Sequence, residues 1–182
     1  NGASTRTRHP PAIHAPASSG VLVEDVTIHH CGGMGLIAEK TDNVTVRRLQ
    51  VVLRKGSPRI ITTTADATHF CNCRGTVLIE ECIFENMLDD ATNVHGSYVR
   101  VTGITAPNQV IARINHPQQA GYEFAGKGDE IDVVDGQTLL AKHTLRVKKS
   151  ERINAHYIRL TFTSPVEGRL TVGDGLENMS WY

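Results

Sequence analysis

One short phrase of residues occurs twice, as "ADATHF" at 65–70 and again as "DDATNVHG" at 89–96. The two copies contain Asp66, Asp89 and Asp90, and 24 residues separate Asp66 from Asp90. Two carboxyl groups held close together are the acid and base of a glycosidase, since one protonates the leaving oxygen while the other activates water or attacks the sugar. These three residues, the aspartate trio, are therefore the candidate catalytic residues.

Three further polar residues follow the aspartates: His69, Asn93 and His95. Imidazole and amide groups can hydrogen-bond sugar hydroxyls, so this binding trio is the candidate substrate-binding set. The alternative is a ladder of aspartate and asparagine side chains at stacked turns, where each side chain bonds its own backbone and does no chemistry. Three aspartates with two histidines on the next strands favour the catalytic interpretation.

The elements that must position these residues repeat along the chain. Residues 21–28, 44–51 and 77–84 carry apolar side chains at relative positions 0, 2, 5 and 7. Two short alternating runs separated by a polar step indicate two strands with a corner between them. We expect three valines, one from each segment, to share an inward column. They are Val21, Val44 and Val77. Each polar step is a pair of charged residues, expected at a solvated corner: Glu24 and Asp25, Arg47 and Arg48, Glu80 and Glu81.

The segments recur after 23 and then 33 residues. This spacing fits one coil of a β-solenoid per segment, with an extra loop at 54–63 in the longer coil. We therefore predict an all-β chain whose residues 1–96 form a right-handed parallel β-helix. Each coil continues into one more strand, and the candidates are 11–15, 34–38, 66–70 and 90–94.

Alternation within these further strands predicts which side chains reach the surface. We expect Leu36, Phe70 and Val94 in one inward column, so that Ile37 and the binding trio point outward. Adjacent parallel strands lie about 4.8 Å apart, so the two copies of the phrase should stack their aspartates on neighbouring coils.

From residue 97 the pattern changes to longer alternating strands separated by turn signals. Residues 97–182 are therefore predicted to form a small antiparallel β-barrel or sandwich. The predicted strands are 97–105, 108–115, 129–134, 138–147 and 156–163. The predicted connections include 116–128 and 148–154.

Composition excludes several classes of protein. Formal net charge is zero and the pI is about 7.3, so we expect no nucleic-acid partner. No apolar run approaches the roughly 20 residues of a membrane-spanning helix. Residues 1–20 lack the apolar centre of a signal peptide, so we expect either that a signal has been removed or that this is an internal piece of a longer protein.

The four cysteines and two of the glycines are interpreted as structural residues, without a role in binding or catalysis. The spacing of the four cysteines fits no zinc template, and they are interpreted as small buried hydrophobes, so we expect no metal ion or cofactor. Gly33 and Gly35 are interpreted as turn residues. The cysteines are Cys31, Cys71, Cys73 and Cys82.

Two stretches carry a family resemblance. "TTTADATHFCNCRGTVLIEECIFENMLDDATNVHGSYVRV" (62–101) resembles the core motif of glycoside hydrolase family 110, and "VLVEDVTIHHCGGMGLIAE" (21–39) resembles the preceding coil. The resemblance implies a bacterial exo-acting α-1,3-galactosidase that removes terminal α-linked galactose from blood group B-type or linear α-galactosyl glycans. It also implies a right-handed parallel β-helix with small β-barrel modules.

The resemblance further assigns the aspartate trio to the family's catalytic aspartates, without separating acid from base. It implies inversion of configuration, which requires carboxyl groups about 6.5–9.5 Å apart, so the corner must splay the stacked aspartates. It implies a protein of several hundred residues, secreted, periplasmic or at the bacterial cell surface. We therefore expect these 182 residues to be part of a longer enzyme.

Two alternatives stay open. A polygalacturonase-like β-helix hydrolase would need cations to hold a uronate, and Arg100 is the only one close in sequence to the second copy of the phrase. A non-catalytic glycan-binding solenoid would bind sugar without hydrolysing it.

Overall fold

The computed structural model describes residues 9–116 and 119–181. β-Strands make up the architecture of the described residues, which confirms the all-β prediction. No helix in the described part of the chain has the length and apolar character that a membrane span requires. The residues up to His95 and those from Gly96 onward form two compact units, which are described separately.

The first unit consists of three parallel sheets. Each sheet takes one strand from each successive repeat, so strands that are far apart in sequence become neighbours. One sheet contains β1 (Ile13–Pro16), β4 (Leu36–Glu39), β7 (Thr68–Cys71) and β10 (Thr92–His95), paired in that order. The second contains β2 (Ser19–Glu24), β5 (Asp42–Arg47) and β8 (Arg74–Glu80). The third contains β3 (Thr27–Ile28), β6 (Gln50–Val51) and β9 (Ile83–Phe84).

The predicted valine column is confirmed by the register of the second sheet. Val21 pairs with Val44, and Val44 pairs with Val77. Val44 is fully buried, while its two partners are partly buried and pack against the same apolar core. β-Branched side chains suit this position because they pack well on a pleated surface.

The predicted column of the first sheet is wrong at Leu36. Ala38, not Leu36, pairs with Phe70, and Phe70 in turn pairs with Val94. Leu36 lies two residues earlier on the same face and pairs with Thr68. Because two residues restore the same face, Leu36 and Phe70 still point inward, and both are fully buried. The prediction that Val94 is an inward residue is wrong, because Val94 lies on the last strand of this sheet and is 58% exposed.

The corners between the second and third sheets share an unusual backbone. Asp25, Arg48 and Glu81 have φ values of 54°, 51° and 55°, the left-handed region that costs energy for residues other than glycine. The Arg48 guanidinium donates to both carboxylate oxygens of Asp25, at 2.6 and 2.8 Å. These hydrogen bonds from Arg48 hold the pKa of Asp25 below its ordinary value.

The preceding residues form a similar row. Arg47 Nε lies 2.7 Å from a carboxylate oxygen of Glu80, and Arg47 Nη1 lies 3.1 Å from one of Glu24. The corners predicted to be solvated are thus also joined by a ladder of charges, with the arginine pair between two acidic pairs.

The second unit is a closed antiparallel barrel. Alternate residues of its strands point inward onto a buried core that includes Phe124, Leu160 and Phe162. Around the barrel the strands follow the order β11 (Tyr98–Ala106), β12 (Gln109–Ile114), β15 (Tyr157–Phe162), β14 (Ala141–Arg152), β13 (Glu130–Val134) and β16 (Gly175–Asn178).

Two features of the barrel differ from the prediction. β14 runs on to Arg152, through residues predicted as a turn, because Ser150 and Arg152 pair with β15 despite their polarity. β16 was not predicted, since its only large apolar side chain is Leu176. That residue pairs with Val99 on one side and Val133 on the other, and so closes the barrel. The predicted connection 116–128 contains no strand among its described residues.

Candidate active site

The candidate site is built on two neighbouring parallel strands, β7 and β10. Asn93 pairs with His69, and His95 pairs with Cys71. The two copies of the repeated phrase align side by side, because the backbone N–H of Ala67 donates to the carbonyl of Asp90 at 2.9 Å. The 24-residue spacing of the phrase therefore places its two copies side by side.

The three carboxylates of the aspartate trio come together as expected. One oxygen from each lies within 4.8 Å of the other two. Their surroundings differ, because Asp66 is 2% exposed whereas Asp89 and Asp90 are exposed. Solvent and ligands therefore reach Asp89 and Asp90 directly, while Asp66 is held within the fold.

A hydrogen-bonded chain starts at the buried aspartate. Oδ2 of Asp66 lies 2.5 Å from Nδ1 of His69, and Nε2 of His69 lies 3.0 Å from Nε2 of His95. The two imidazoles meet edge to face, with ring centroids 4.8 Å apart. Both ring nitrogens of His69 are thereby engaged, so this side chain positions its neighbours.

The third member of the binding trio faces the exposed aspartates. Nδ2 of Asn93 donates to Oδ2 of Asp90, three residues earlier in the chain, at 3.3 Å. The structure therefore brings all six predicted site residues to one place on the first unit.

Two sets of side chains in this region have the composition of a metal site. The first is the aspartate trio, whose oxygens are the ligands of hard cations. The second is His69, Cys71 and His95, whose nitrogen and sulfur atoms lie within 4.8 Å of one another. Sequence reasoning missed Cys71, although it lies two residues after His69 and so on the same face of β7.

Gly35 is a further residue next to the site. The backbone N–H of Gly35 donates to the carbonyl of Asp66 at 3.0 Å. Gly33 and Gly35 lie in the bent segment that leads into β4, as the turn interpretation predicted, although neither has a positive φ. Both glycines lie too close to neighbouring backbone to carry a side chain. A Cβ added to Gly33 would lie 2.2 Å from the carbonyl oxygen of His9, and one added to Gly35 would lie 2.5 Å from the carbonyl oxygen of Ala67.

Residues 109–176 match the family model described as GLAA-B beta-barrel domain II, which corresponds to most of the barrel. "Alpha-1,3-galactosidase A" of Shewanella woodyi is 36% identical over 171 residues, covering 94% of this chain and 28% of that protein. The further curated relatives of this chain described below are also named α-1,3-galactosidases.

Two other α-1,3-galactosidases align in the same way. "Alpha-1,3-galactosidase B" of Phocaeicola vulgatus is 36% identical over 187 residues, covering 97% of this chain and 31% of that protein. "Alpha-1,3-galactosidase A" of Akkermansia muciniphila is 32% identical, covering 90% of this chain and 28% of that protein. The resemblance noted in the sequence is confirmed, and the chain spans 28–31% of the length of these α-1,3-galactosidases.

Proposed function

We propose that this chain is the part of an exo-acting α-1,3-galactosidase that carries its acid and base. The observation that carries the proposal is the meeting of three carboxylates within 4.8 Å, beside two imidazoles, in a chain related to α-1,3-galactosidases along its length. The substrate would be a glycan with a terminal α-1,3-linked galactose, of the blood group B-type or linear kind. The three parallel sheets would be successive coils of a right-handed β-helix, in a protein that acts outside the cytoplasm.

The exposed aspartates would act on the sugar directly. Asp89 and Asp90 are open to solvent, so one of them can reach the glycosidic oxygen or a water molecule next to the anomeric carbon. Asp66 is fixed by His69 and cannot follow the substrate, which suits a carboxylate whose position must be set before binding. Asn93 would bind galactose hydroxyls, and so would Nδ1 of His95, whose Nε2 faces His69.

Inversion of configuration requires a minimum distance between the two catalytic carboxyl groups. The nearest oxygens lie within 4.8 Å, closer than the about 6.5–9.5 Å between carboxyl groups that leaves room for the attacking water. An exposed carboxylate that turns outward when the sugar binds would provide this separation.

The test uses the full-length protein that contains this chain. It should hydrolyse galactosyl-α-1,3-galactose, and proton NMR during the first minutes should show β-galactose as the first anomer. Release of α-galactose first would replace inversion by retention. Sugar binding without any hydrolysis of α-galactosides would instead support the glycan-binding alternative.

Chemical rescue separates acid from base. A variant lacking the general acid should keep most of its activity on a p-nitrophenyl α-galactoside, whose leaving group needs no proton. A variant lacking the general base should recover activity with added azide, which attacks without deprotonation.

A further inference from the structure

We propose that His69, Cys71 and His95 bind a zinc ion beside the aspartate trio. The three potential ligand atoms lie within 4.8 Å of one another. One sulfur and two imidazole nitrogens form a borderline-soft donor set, which zinc accepts and which magnesium and calcium do not. The inference is independent of the proposed galactosidase activity, because it rests on these ligands alone.

The strands preorganise this ligand set. His69 and Cys71 are two residues apart on β7, so their side chains leave the same face, and His95 lies directly opposite Cys71 on β10. Neighbouring strands are about 4.8 Å apart, which brings a cross-strand ligand within reach of the same ion. Three ligands on two paired strands need no loop to move in order to assemble.

The tautomer of His69 is also set for metal binding. Asp66 is a carboxylate acceptor at Nδ1, so that nitrogen carries the proton and Nε2 presents its lone pair towards His95. A carboxylate bonded to the far nitrogen of a ligating histidine is the usual outer partner in zinc sites. Asp66 would therefore orient the ligand without touching the ion.

The imidazoles of His69 and His95 face each other across a short gap. The two Nε2 atoms are 3.0 Å apart, so the gap can be filled by an N–H of one ring donating to the lone pair of the other, or by a metal ion ligated by both. In a tetrahedral zinc site, nitrogens at about 2.0–2.1 Å from the ion are roughly 3.3 Å apart, so only a small widening is needed. A proton shared by the two imidazoles would leave the sulfur of Cys71 without a role, whereas a zinc ion would also be ligated by that sulfur.

The surroundings of Cys71 distinguish it from the other cysteines. The Asn72 side-chain amide lies 3.4 Å from the sulfur of Cys71 and can donate to it. The sulfurs of Cys73 and Cys82 lie against backbone carbonyls instead. Among the described cysteines, Cys71 is the one grouped with two histidines whose nitrogens lie within 4.8 Å.

The experiment uses the full-length protein, purified without a histidine tag, stripped with a chelator and reloaded with cobalt(II) or zinc(II). We expect about one cobalt per chain, with a thiolate-to-cobalt charge-transfer band in the near ultraviolet. X-ray absorption of the zinc form should show one sulfur at about 2.3 Å with two imidazole nitrogens. Cys71→Ser should abolish the band, and the matched control Cys82→Ser should keep it.

Two variants test the remaining roles, with zinc affinity measured by competition against a chromophoric chelator. His95→Gln should weaken zinc binding, and Asp66→Asn should weaken it by about 10–100-fold, the loss typical of an outer partner. Folding of each variant is checked by circular dichroism.

Several outcomes would overturn the proposal. A folded wild-type protein that holds no stoichiometric zinc or cobalt would do so, even if it is an active galactosidase. A zinc coordination shell free of sulfur would do so as well, since it would place the ion on the carboxylates instead. Retention of the charge-transfer band in Cys71→Ser would show that another thiol is the ligand.

Discussion

A Cβ atom added to Gly35 would lie 2.5 Å from the carbonyl oxygen of Ala67, the residue that follows Asp66. This distance is shorter than a van der Waals contact, and the obstructing atom belongs to the backbone directly before β7, the strand paired with β4. Gly35 thus sets how closely the segment carrying the first copy of the repeated phrase can approach β4.

Replacing Gly35 with alanine should therefore disturb the site through the backbone. We expect Gly35→Ala to destabilise the protein by about 1–3 kcal/mol and to lower turnover, since the carbonyl of Asp66 is bonded to this residue. The matched control is Gly103→Ala, where an added Cβ meets no atom within 4 Å. Urea unfolding and galactosidase assays on both variants provide the measurement, and equal effects would contradict the prediction.

The aspartate trio gives a second prediction. Asp66→Asn, Asp89→Asn and Asp90→Asn remove the ionisable group while keeping nearly the same shape. For the residues that act as acid and base, turnover of the full-length enzyme should fall by about 100-fold or more, with little change in melting temperature. The control is Asp132→Asn on the barrel surface, where the carboxylate accepts from Thr144.

A ladder of turn-capping aspartates would give the opposite pattern. Near wild-type turnover in all three variants, with a lower melting temperature in each, would mean that the trio only supports the turns.

The core of the first unit gives a third prediction. Val44→Asp should cost several kcal/mol and prevent stable folding, because it buries an unpaired charge in the centre of the valine column. Leu22→Asp is the matched control, because Leu22 is 57% exposed on the same sheet. Circular dichroism melting should separate the two, and an equally tolerated Val44→Asp would contradict the register.

Acid sensitivity of the barrel gives a fourth prediction. Burial alone would raise the pKa of Asp174, but hydrogen bonds from Lys142 and Thr171 outweigh burial and lower it. Backbone N–H groups of Thr138 and Gln137 lower the pKa of Asp135 to about 2. A lowered folded-state pKa contributes stability above the unfolded pKa, which is about 3.9 for Asp, and this stability is lost as pH falls through the folded value.

The free energy of unfolding should therefore drop between about pH 4 and pH 2. In the 182-residue chain, fluorescence of Trp181, its single tryptophan, reports barrel unfolding in urea at each pH. Asp174→Asn should flatten the pH dependence, and the exposed control Glu167→Gln should leave it unchanged. An unchanged slope in Asp174→Asn would disprove the assigned role.

Side-chain periodicity explains what could be predicted from the sequence. The valine column and the row formed by Ile37, His69 and Asn93 follow from apolar alternation repeated at coil spacing, and the structure has both. The meeting of the aspartate trio followed from the repeated phrase, because a period in sequence becomes a neighbour relation in a stack of parallel strands.

The features that could not be predicted depend on contacts between residues that are far apart in the sequence. The tight approach at Gly35 and the barrel-closing role of Leu176 involve partners more than 30 residues away, with no local pattern to signal them. Cys71 is buried as predicted, and its place opposite His95 follows from the same 24-residue period, although the interpretation as a core residue did not use it.

The arginine pair between two acidic pairs has a consequence for assembly. If the strands of the first repeat paired with those of the third and skipped the middle repeat, Glu24 and Asp25 would face Glu80 and Glu81 with no cation between them. Like charges directly opposite on neighbouring strands destabilise the pairing, so the skipped arrangement is penalised and the correct one is not. Arg47 and Arg48 therefore discriminate against a misassembled stack, even though such exposed ion pairs contribute little to the stability of the correct one.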